Sequence, residues 1–151
     1  MHAAAQSSIG LDLREKPWTL DGYFKFENDE KSEIQMIAGT RQACSKYTGW
    51  DLIVKSRQLR VFVATPAGKS YSSTITNAID DGKYHNFLIA WDPAASGGTF
   101  SFSLDGKRAA VFSGIGDLGD ELSDERMFSI GCQIDVTKKA ASLLWRGMLD
   151  E

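Results

Sequence analysis

The sequence predicts an all-β protein built from two antiparallel sheets. Short apolar runs recur at spacings of roughly 8–14 residues, and turn-forming residues separate them, which is typical of a β-sandwich or barrel. No segment keeps an amphipathic helical period over the roughly 10–12 residues that a helix needs. The chain has 151 residues, which is enough to bury the core of one domain.

Three consecutive strands between residues 83 and 113 are the clearest element of this prediction. The run 83–91 is apolar, and 99–104 reads T-F-S-F-S-L, so that its apolar residues lie on one face of a strand. The pair Asp105-Gly106 follows. It suits the type I′ turn of a two-residue hairpin, because both central positions of that turn need positive φ. The segment 107–113 is therefore the third strand of an antiparallel meander.

Apolar runs on either side of the meander predict the other strands, for a total of about ten. These strands are 18–26, 33–39, 50–55, 59–64, 71–75, 127–132 and 143–149. Asp21-Gly22 favours a bulge in the first of them. In the second, the alternation places Ile34, Met36 and Ala38 on one face. The segment 71–75 is short and polar, as is typical of an edge strand.

Composition and charge exclude several classes of protein. There are 17 Lys and Arg against 20 Asp and Glu, a net charge of −3. This balance argues against a nucleic-acid partner and against a polybasic membrane surface. No apolar run is long enough to predict a membrane helix. The two cysteines, Cys44 and Cys132, are too few for a disulfide scaffold. Whether they are two thiols or one disulfide stays open.

Four groups of residues carry a likeness to a known family. They are G-W-D-L at 49–52, D-G-K-Y-H-N-F at 81–87, F-S-F-S-L-D-G-K at 100–107, and the pair F-S-I-G at 128–131 and W-R-G-M-L-D-E at 145–151. In this order they resemble the laminin-G-like (LamG) modules of the concanavalin A-like lectin/glucanase superfamily. The resemblance implies a two-sheet antiparallel jelly-roll β-sandwich.

The resemblance also implies a domain organisation and a function. Residues 17–151 are expected to form a single LamG-like domain excised from a longer protein, and 1–16 to be an N-terminal lead or an expression remnant. The implied function is non-catalytic, lectin-like carbohydrate binding, ancillary to a larger secreted glycoside hydrolase or adhesin. Its partners would be a glycan and the other domains of the parent protein, at a secreted, periplasmic or cell-surface location. The alternatives are a structural or protein–protein interaction module without a sugar site and, less favoured, a glycoside hydrolase.

No catalytic residue is predicted. Glucanases of the superfamily carry their acids on one strand as E-x-D-x-x-E, and retaining chemistry needs two carboxyl groups about 5–5.5 Å apart. The candidate strand here has Glu33 followed by I-Q-M-I-A, with apolar residues where the partner acids should be.

The candidate sugar-binding residues are Arg41, Tyr47 and Trp50 in one polar loop, together with Arg60 on a strand face. Sugar recognition uses aromatic rings and planar polar groups, and an arginine would pair with the carboxylate of an anionic sugar. Arg60 alternates with Val61 and Val63, so we expect it to point away from the core. The alternative is a core Trp50 among solvated loop and surface side chains.

An acidic loop supplies a candidate calcium site. Asp117, Asp120 and Asp124 lie close together in the chain, and Ca²⁺ takes six to eight oxygen ligands. The alternative is a solvated acidic loop. No other cofactor is expected.

Overall fold

The computed structural model describes residues 3–5, 15–26, 34–41, 48–75, 79–119, 128–131, 133–135, 140–142 and 147–150. Its strands in chain order are β1 Ala3–Ala5, β2 Trp18–Phe26, β3 Ile34–Gly39, β4 Gly49–Lys55, β5 Gln58–Ala64, β6 Ser70–Ile75, β7 Tyr84–Asp92, β8 Thr99–Leu104, β9 Lys107–Ser113, β10 Phe128–Ile130, β11 Gln133–Asp135, β12 Ala140–Ser142 and β13 Gly147–Asp150. A turn of 3₁₀ helix, Ala95–Gly97, precedes β8. In these parts of the chain, no helix has the length and apolar character needed to cross a bilayer.

The strands form two large antiparallel sheets. One has six strands in the order β1-β10-β3-β4-β5-β6, and the other has five in the order β13-β2-β7-β8-β9. The predicted two-sheet antiparallel sandwich is thereby confirmed. Two strand pairings were not expected from the sequence. The strands β11 and β12 pair with each other, and β1 pairs with β10 although 1–16 was expected to precede the domain.

The core lies between the two sheets and is filled by alternate residues of their strands. Fully buried members from the six-stranded sheet include Ile37, Trp50, Leu52, Leu59, Val61 and Val63, and those from the five-stranded sheet include Phe24, Ile89, Trp91, Phe100, Phe102 and Leu104. Aromatic rings join the two layers. The ring centroid of Trp50 lies 5.9 Å from that of Phe100 and 5.6 Å from that of Trp18.

The predicted meander is confirmed as β7, β8 and β9. Asp105 (φ 50°) and Gly106 (φ 72°) have the positive φ values expected of the turn. His85 ties this turn to the start of β7, because its Nδ1 lies 2.9 Å from Asp105 Oδ2 and its Nε2 lies 3.1 Å from Asp81 Oδ1. The polar side chains of this stretch therefore hold the scaffold together.

The bulge expected at Asp21-Gly22 is not there. The strands β2 and β7 pair in unbroken register from Trp18–Trp91 to Lys25–Tyr84. The register shift lies instead in β3, between Met36 and Ala38.

This bulge in β3 also corrects the predicted faces. Ile37 and Ala38 both join the core cluster, whereas Met36 lies on the opposite face with Ile34, next to Ile53 of β4. One extra residue reverses the side-chain alternation. Ile34, Met36 and Ala38 therefore do not share a face.

A candidate binding groove on the six-stranded sheet

The outer face of the six-stranded sheet, which points away from the core, carries a groove of about 370 Å³. Arg41 and strands β3 to β6 line it. The lining residues are Ile34, Met36, Arg41, Asp51, Ile53, Lys55, Arg60, Val61, Phe62, Ser72, Ser73 and Thr74. We call this feature the groove.

Strand alternation brings these side chains to one face. Inward-pointing residues of β4 and β5 fill the core, so the residues between them must face outward. The register then sets the outward residues in two neighbouring rows, which are Met36–Ile53–Arg60–Thr74 and Gly39–Asp51–Phe62–Ser72. Adjacent rows lie about 7 Å apart, since each row is two residues further along a strand.

The floor of the groove is an ion pair stacked on an aromatic ring. Arg41 Nη1 lies 2.9 Å from Asp51 Oδ2, and both side chains are almost buried, with 9% and 11% of their surface exposed. The guanidinium carbon of Arg41 lies 4.1 Å from the ring centroid of Phe62, a cation–π distance. The backbone fixes this position, because the N–H groups of Thr40 and Arg41 both donate to the carbonyl of Trp50.

Asp51 is the most perturbed acid described in the structure. Burial raises the pKa of its carboxyl group from 3.8 to about 7, since desolvation outweighs the opposing effect of Arg41. Among the described residues, its second oxygen, Oδ1, is buried and has no hydrogen-bond partner. Buried polar atoms are usually paired. Asp51 therefore offers the groove an acceptor and a group that exchanges a proton near neutral pH.

Gly39 makes room for this carboxylate. A Cβ atom at Gly39 would lie 2.9 Å from Asp51 Oδ1 and 2.7 Å from the carbonyl oxygen of Trp50. The second contact is with backbone, which cannot rotate away. A side chain at position 39 would therefore displace Asp51 or distort the sheet.

Cations dominate the groove beside this floor. Arg60 Nη2 donates to Gln58 Oε1 at 3.3 Å, while Arg60 Nε is buried and, within the described part of the chain, has no partner. Lys55 lies on the neighbouring strand. The lining residues include three cations and one carboxylate. Their net charge is +2 when Asp51 is ionised and +3 when it is protonated.

The structure brings together two candidates that the sequence placed apart. Arg41 was assigned to a loop rim and Arg60 to a strand face, and both line the groove. The outward direction predicted for Arg60 is confirmed. The assignment of Trp50 to a binding rim is wrong, because Trp50 points inward from β4 and has no exposed surface. Tyr47 lies outside the described residues, and its role stays a prediction.

Sequence reasoning missed Asp51, Lys55 and Phe62. The period-two alternation of W-D-L-I-V-K and L-R-V-F-V-A already indicated which residues face outward. Asp51 and Lys55 alternate with apolar residues in the first segment, as Arg60 and Phe62 do in the second. Only Arg60 was taken from this pattern. The carboxylate was overlooked because nothing in the sequence shows that Arg41 reaches over Phe62 to meet it.

The predicted calcium site stays a prediction. Asp117 Oδ1 accepts a hydrogen bond from the backbone N–H of Gly119 at 2.7 Å, while Asp120 and Asp124 lie outside the described residues. Within the ranges that are described, no group of three acidic, His or Cys side chains is placed to hold a metal ion. Cys44 and Cys132 also fall outside those ranges.

Comparison with known proteins gives matches at the level of structure alone. No protein-family profile matches the chain, and no curated protein does. Among solved structures, the CBM40 domain of the Ruminococcus gnavus IT-sialidase has a TM-score of 0.67 at 9% identity, covering 89% of this chain and 73% of that one. Domains LG4-5 of the mouse laminin α1 chain give 0.61 at 13%, covering 87% and 32%. The endo-β-1,4-glucuronan lyase of the fungus Trichoderma reesei gives 0.56 at 12%, covering 85% and 61%.

These neighbours establish the class of fold. The chain is a concanavalin A-like jelly-roll sandwich, as the resemblance to laminin-G-like modules predicted. At 9–13% identity, the likeness shows the fold alone. The chain spans less than two thirds of the laminin and lyase chains that it matches.

Proposed function

We propose that the protein is a non-catalytic carbohydrate-binding domain and that the groove is its sugar site. The observation that carries this proposal is that two side-chain atoms of the groove, one donor and one acceptor, have no hydrogen-bond partner among the described residues. Arg60 Nε and Asp51 Oδ1 are both buried and, among the described residues, unpartnered. A sugar presents hydroxyl groups that donate and accept at once, and so it would satisfy both atoms once the side chains that cover them shift to admit it.

The remaining lining suits the same ligand. Ser72 and Thr74 bring hydroxyl groups from β6, and Ile53 and Met36 bring apolar surface. Phe62 is not a free stacking platform, because the Arg41 guanidinium covers its ring. Recognition would therefore depend on hydrogen bonds and charge. Sugar binding is also found on this fold, since the CBM40 neighbour has been solved with α2,3 sialyllactose.

A glycan array followed by calorimetry tests the proposal. We expect a set of glycans to bind, and Arg60→Gln to weaken binding at least about tenfold, the size of one lost charge-assisted hydrogen bond. The matched control is Arg108→Gln on the exposed part of β9, which should bind as the wild type does. If no glycan binds, the proposal fails.

The competing class is an interaction module. Tyr23, Tyr84 and Leu88 are exposed on the outer face of the five-stranded sheet, and such a patch suits a protein partner. Glycan binding that survives Arg60→Gln but is lost in Tyr23→Ser would move the site to that face.

The enzyme alternative has less support. Glycoside hydrolysis uses two carboxyl groups, and the described lining of the groove contains one, Asp51. Release of reducing sugar from a bound glycan would overturn the non-catalytic assignment. We also propose that the domain serves a larger secreted, periplasmic or cell-surface protein.

A further inference from the structure

Charge imbalance in the groove indicates which sugars it prefers. Lys55 and Arg60 line the groove on neighbouring strands, and Arg41 is held by Asp51. Within the described residues, no carboxylate forms an ion pair with Lys55 or Arg60. Two cations that face one groove without a counter-charge favour an anionic ligand.

The register places these two cations at a suitable separation. Lys55 of β4 lies opposite Gln58 of β5, and Arg60 lies two residues beyond Gln58 on β5. Lys55 and Arg60 are therefore diagonal neighbours, about 7–8 Å apart at Cα and within reach of a shared ligand for long side chains. A carboxylate between them would accept hydrogen bonds from a guanidinium and an ammonium group.

Asp51 lies close to the same position. Asp51 is opposite Phe62, which is two residues from Arg60 on β5. Arg60 therefore has two diagonal neighbours on β4, with Lys55 on one side and Asp51 on the other. A bound carboxylate would thus lie within one sugar ring of a buried carboxylate. Two like charges that share a site disfavour each other, and protonation of one of them removes the repulsion.

We propose that the groove selects carboxylate-bearing sugars and that Asp51 takes up one proton from solvent when such a sugar binds. This inference rests on the proposed sugar site. The ligand carboxylate would be held by Arg60 and Lys55, and the protonated Asp51 would remain beside Arg41. No covalent bond changes, and the proton comes from the buffer.

No other described titratable group in the groove can account for this proton. Strand β3 presents Ile34 and Met36, β5 presents Arg60 and Phe62, and β6 presents Ser72 and Thr74. Arg41 contacts Asp51, and Lys55 is the remaining charged residue in the described lining of the groove. Because Asp51 titrates near pH 7 in the free protein, its protonation is coupled to binding in the neutral range.

Calorimetry with matched pairs of probes tests selectivity. Trigalacturonate is compared with its methyl-esterified form, and 3′-sialyllactose with its methyl ester, all at pH 6. We expect at least one acidic probe to bind about tenfold or more tighter than its neutral partner, and the two pairs distinguish uronic from sialic acid. Equal binding of acidic and neutral probes would overturn the inference and leave the proposed sugar site standing. No binding of any glycan would defeat both.

The pH dependence tests the role of Asp51. Binding of the acidic probe should weaken about tenfold between pH 6 and pH 8, and about half a proton should be taken up per ligand at pH 7. Phosphate and Tris buffers, which differ in ionisation enthalpy, measure that uptake directly.

Variants separate the groups involved. Asp51→Asn should bind the acidic probe with the same affinity at pH 6 and pH 8, while the control Asp21→Asn, an exposed residue of β2, should keep the wild-type pH dependence. Lys55→Gln with Arg60→Gln should abolish the preference for the acidic probe, whereas Lys107→Gln with Arg108→Gln on β9 should retain it. Wild-type binding that does not change with pH, or a pH dependence that persists in Asp51→Asn, would overturn the coupling.

Discussion

The outer faces of the two sheets differ in where they keep their charge. On the five-stranded sheet, Tyr23, Tyr84 and Leu88 are 45%, 50% and 38% exposed, and the neighbouring Asp21 is solvated. On the six-stranded sheet, the Arg41–Asp51 pair is almost buried. The outer face of the five-stranded sheet exposes apolar side chains to water, whereas the outer face of the six-stranded sheet shields an ion pair from water.

The difference is informative because burying charge is costly. Desolvation of two ions often exceeds their attraction, so a buried pair is weak support for stability. Charged residues on the outer face of a sheet are usually solvated, and their ion pairs contribute little to the free energy of unfolding. We infer that the Arg41–Asp51 pair is kept for the groove, and four variants test the comparison of the two sheets.

The largest effect is expected from Arg41→Met. The substitution keeps apolar contact with Phe62 but leaves Asp51 buried without its counter-charge, which should cost about 3–5 kcal/mol of unfolding free energy at pH 8. The loss should shrink at pH 5, where Asp51 is protonated. Denaturant unfolding at both pH values measures it. Lys107→Met on the other sheet should change stability by less than about 0.5 kcal/mol, and an equal loss there would erase the contrast.

The pH dependence of stability should change in Asp51→Asn. The folded pKa of about 7 lies above the usual 3.8, so the folded state binds the extra proton and the wild type loses stability as pH rises from about 4 to 7. The variant lacks this loss and should exceed the wild type by on the order of 2–3 kcal/mol at pH 8, with little difference near pH 4. Thermal melts across this range decide it. A wild-type profile that rises from pH 4 to 7 and parallels that of the variant would contradict the assignment.

Gly39→Ala should lower stability by about 2 kcal/mol, since overpacking against fixed backbone strains the sheet. It should also weaken glycan binding by moving Asp51. The variant Gly39→Ala/Asp51→Ala is the control. If Gly39→Ala costs as much in the Asp51→Ala background as in the wild type, the contacts with the Met36 side chain and the Trp50 carbonyl, and not the one with Asp51, are responsible.

The smallest effect concerns the hairpin turns of the two sheets. Asp105-Gly106 in the five-stranded sheet has residues suited to positive φ, whereas Ser56 (φ 52°) and Arg57 (φ 60°) in the six-stranded sheet do not. Replacing them by Asn-Gly should add about 1 kcal/mol. The ion pair of Arg57 with Asp80 is lost, but it is exposed and contributes little. Unchanged or reduced stability would show that the turn is not strained.

The strands themselves were largely predictable. Turn residues and period-two alternation are local signals, so β2 to β9 appear close to their predicted bounds. The predicted bulge was misplaced because Gly22 fits regular pairing opposite Phe87. The observed bulge at Ile37 lies in the pairing of β3 with β4, and the Ile37 carbonyl there accepts a hydrogen bond from the N–H of Gly131, far along the chain. The rim position predicted for Trp50 failed for a related reason. The loop sequence suggested that Trp50 could contact a sugar, but the alternation of side chains in β4 points Trp50 into the core.

The sequence alone determined the fold class, the meander and the outward position of Arg60, because these follow from the order of residues within single strands. Only the tertiary structure decided the groove. It needed the register of β3 to β6, the bulge that turns Met36 outward, and the absence of a side chain at Gly39. Those features bring Arg41, a residue ten positions away, onto Asp51. Contacts across strands and the desolvation they cause have no local signal, and for that reason the raised pKa of Asp51 could not be read from its neighbours in the chain.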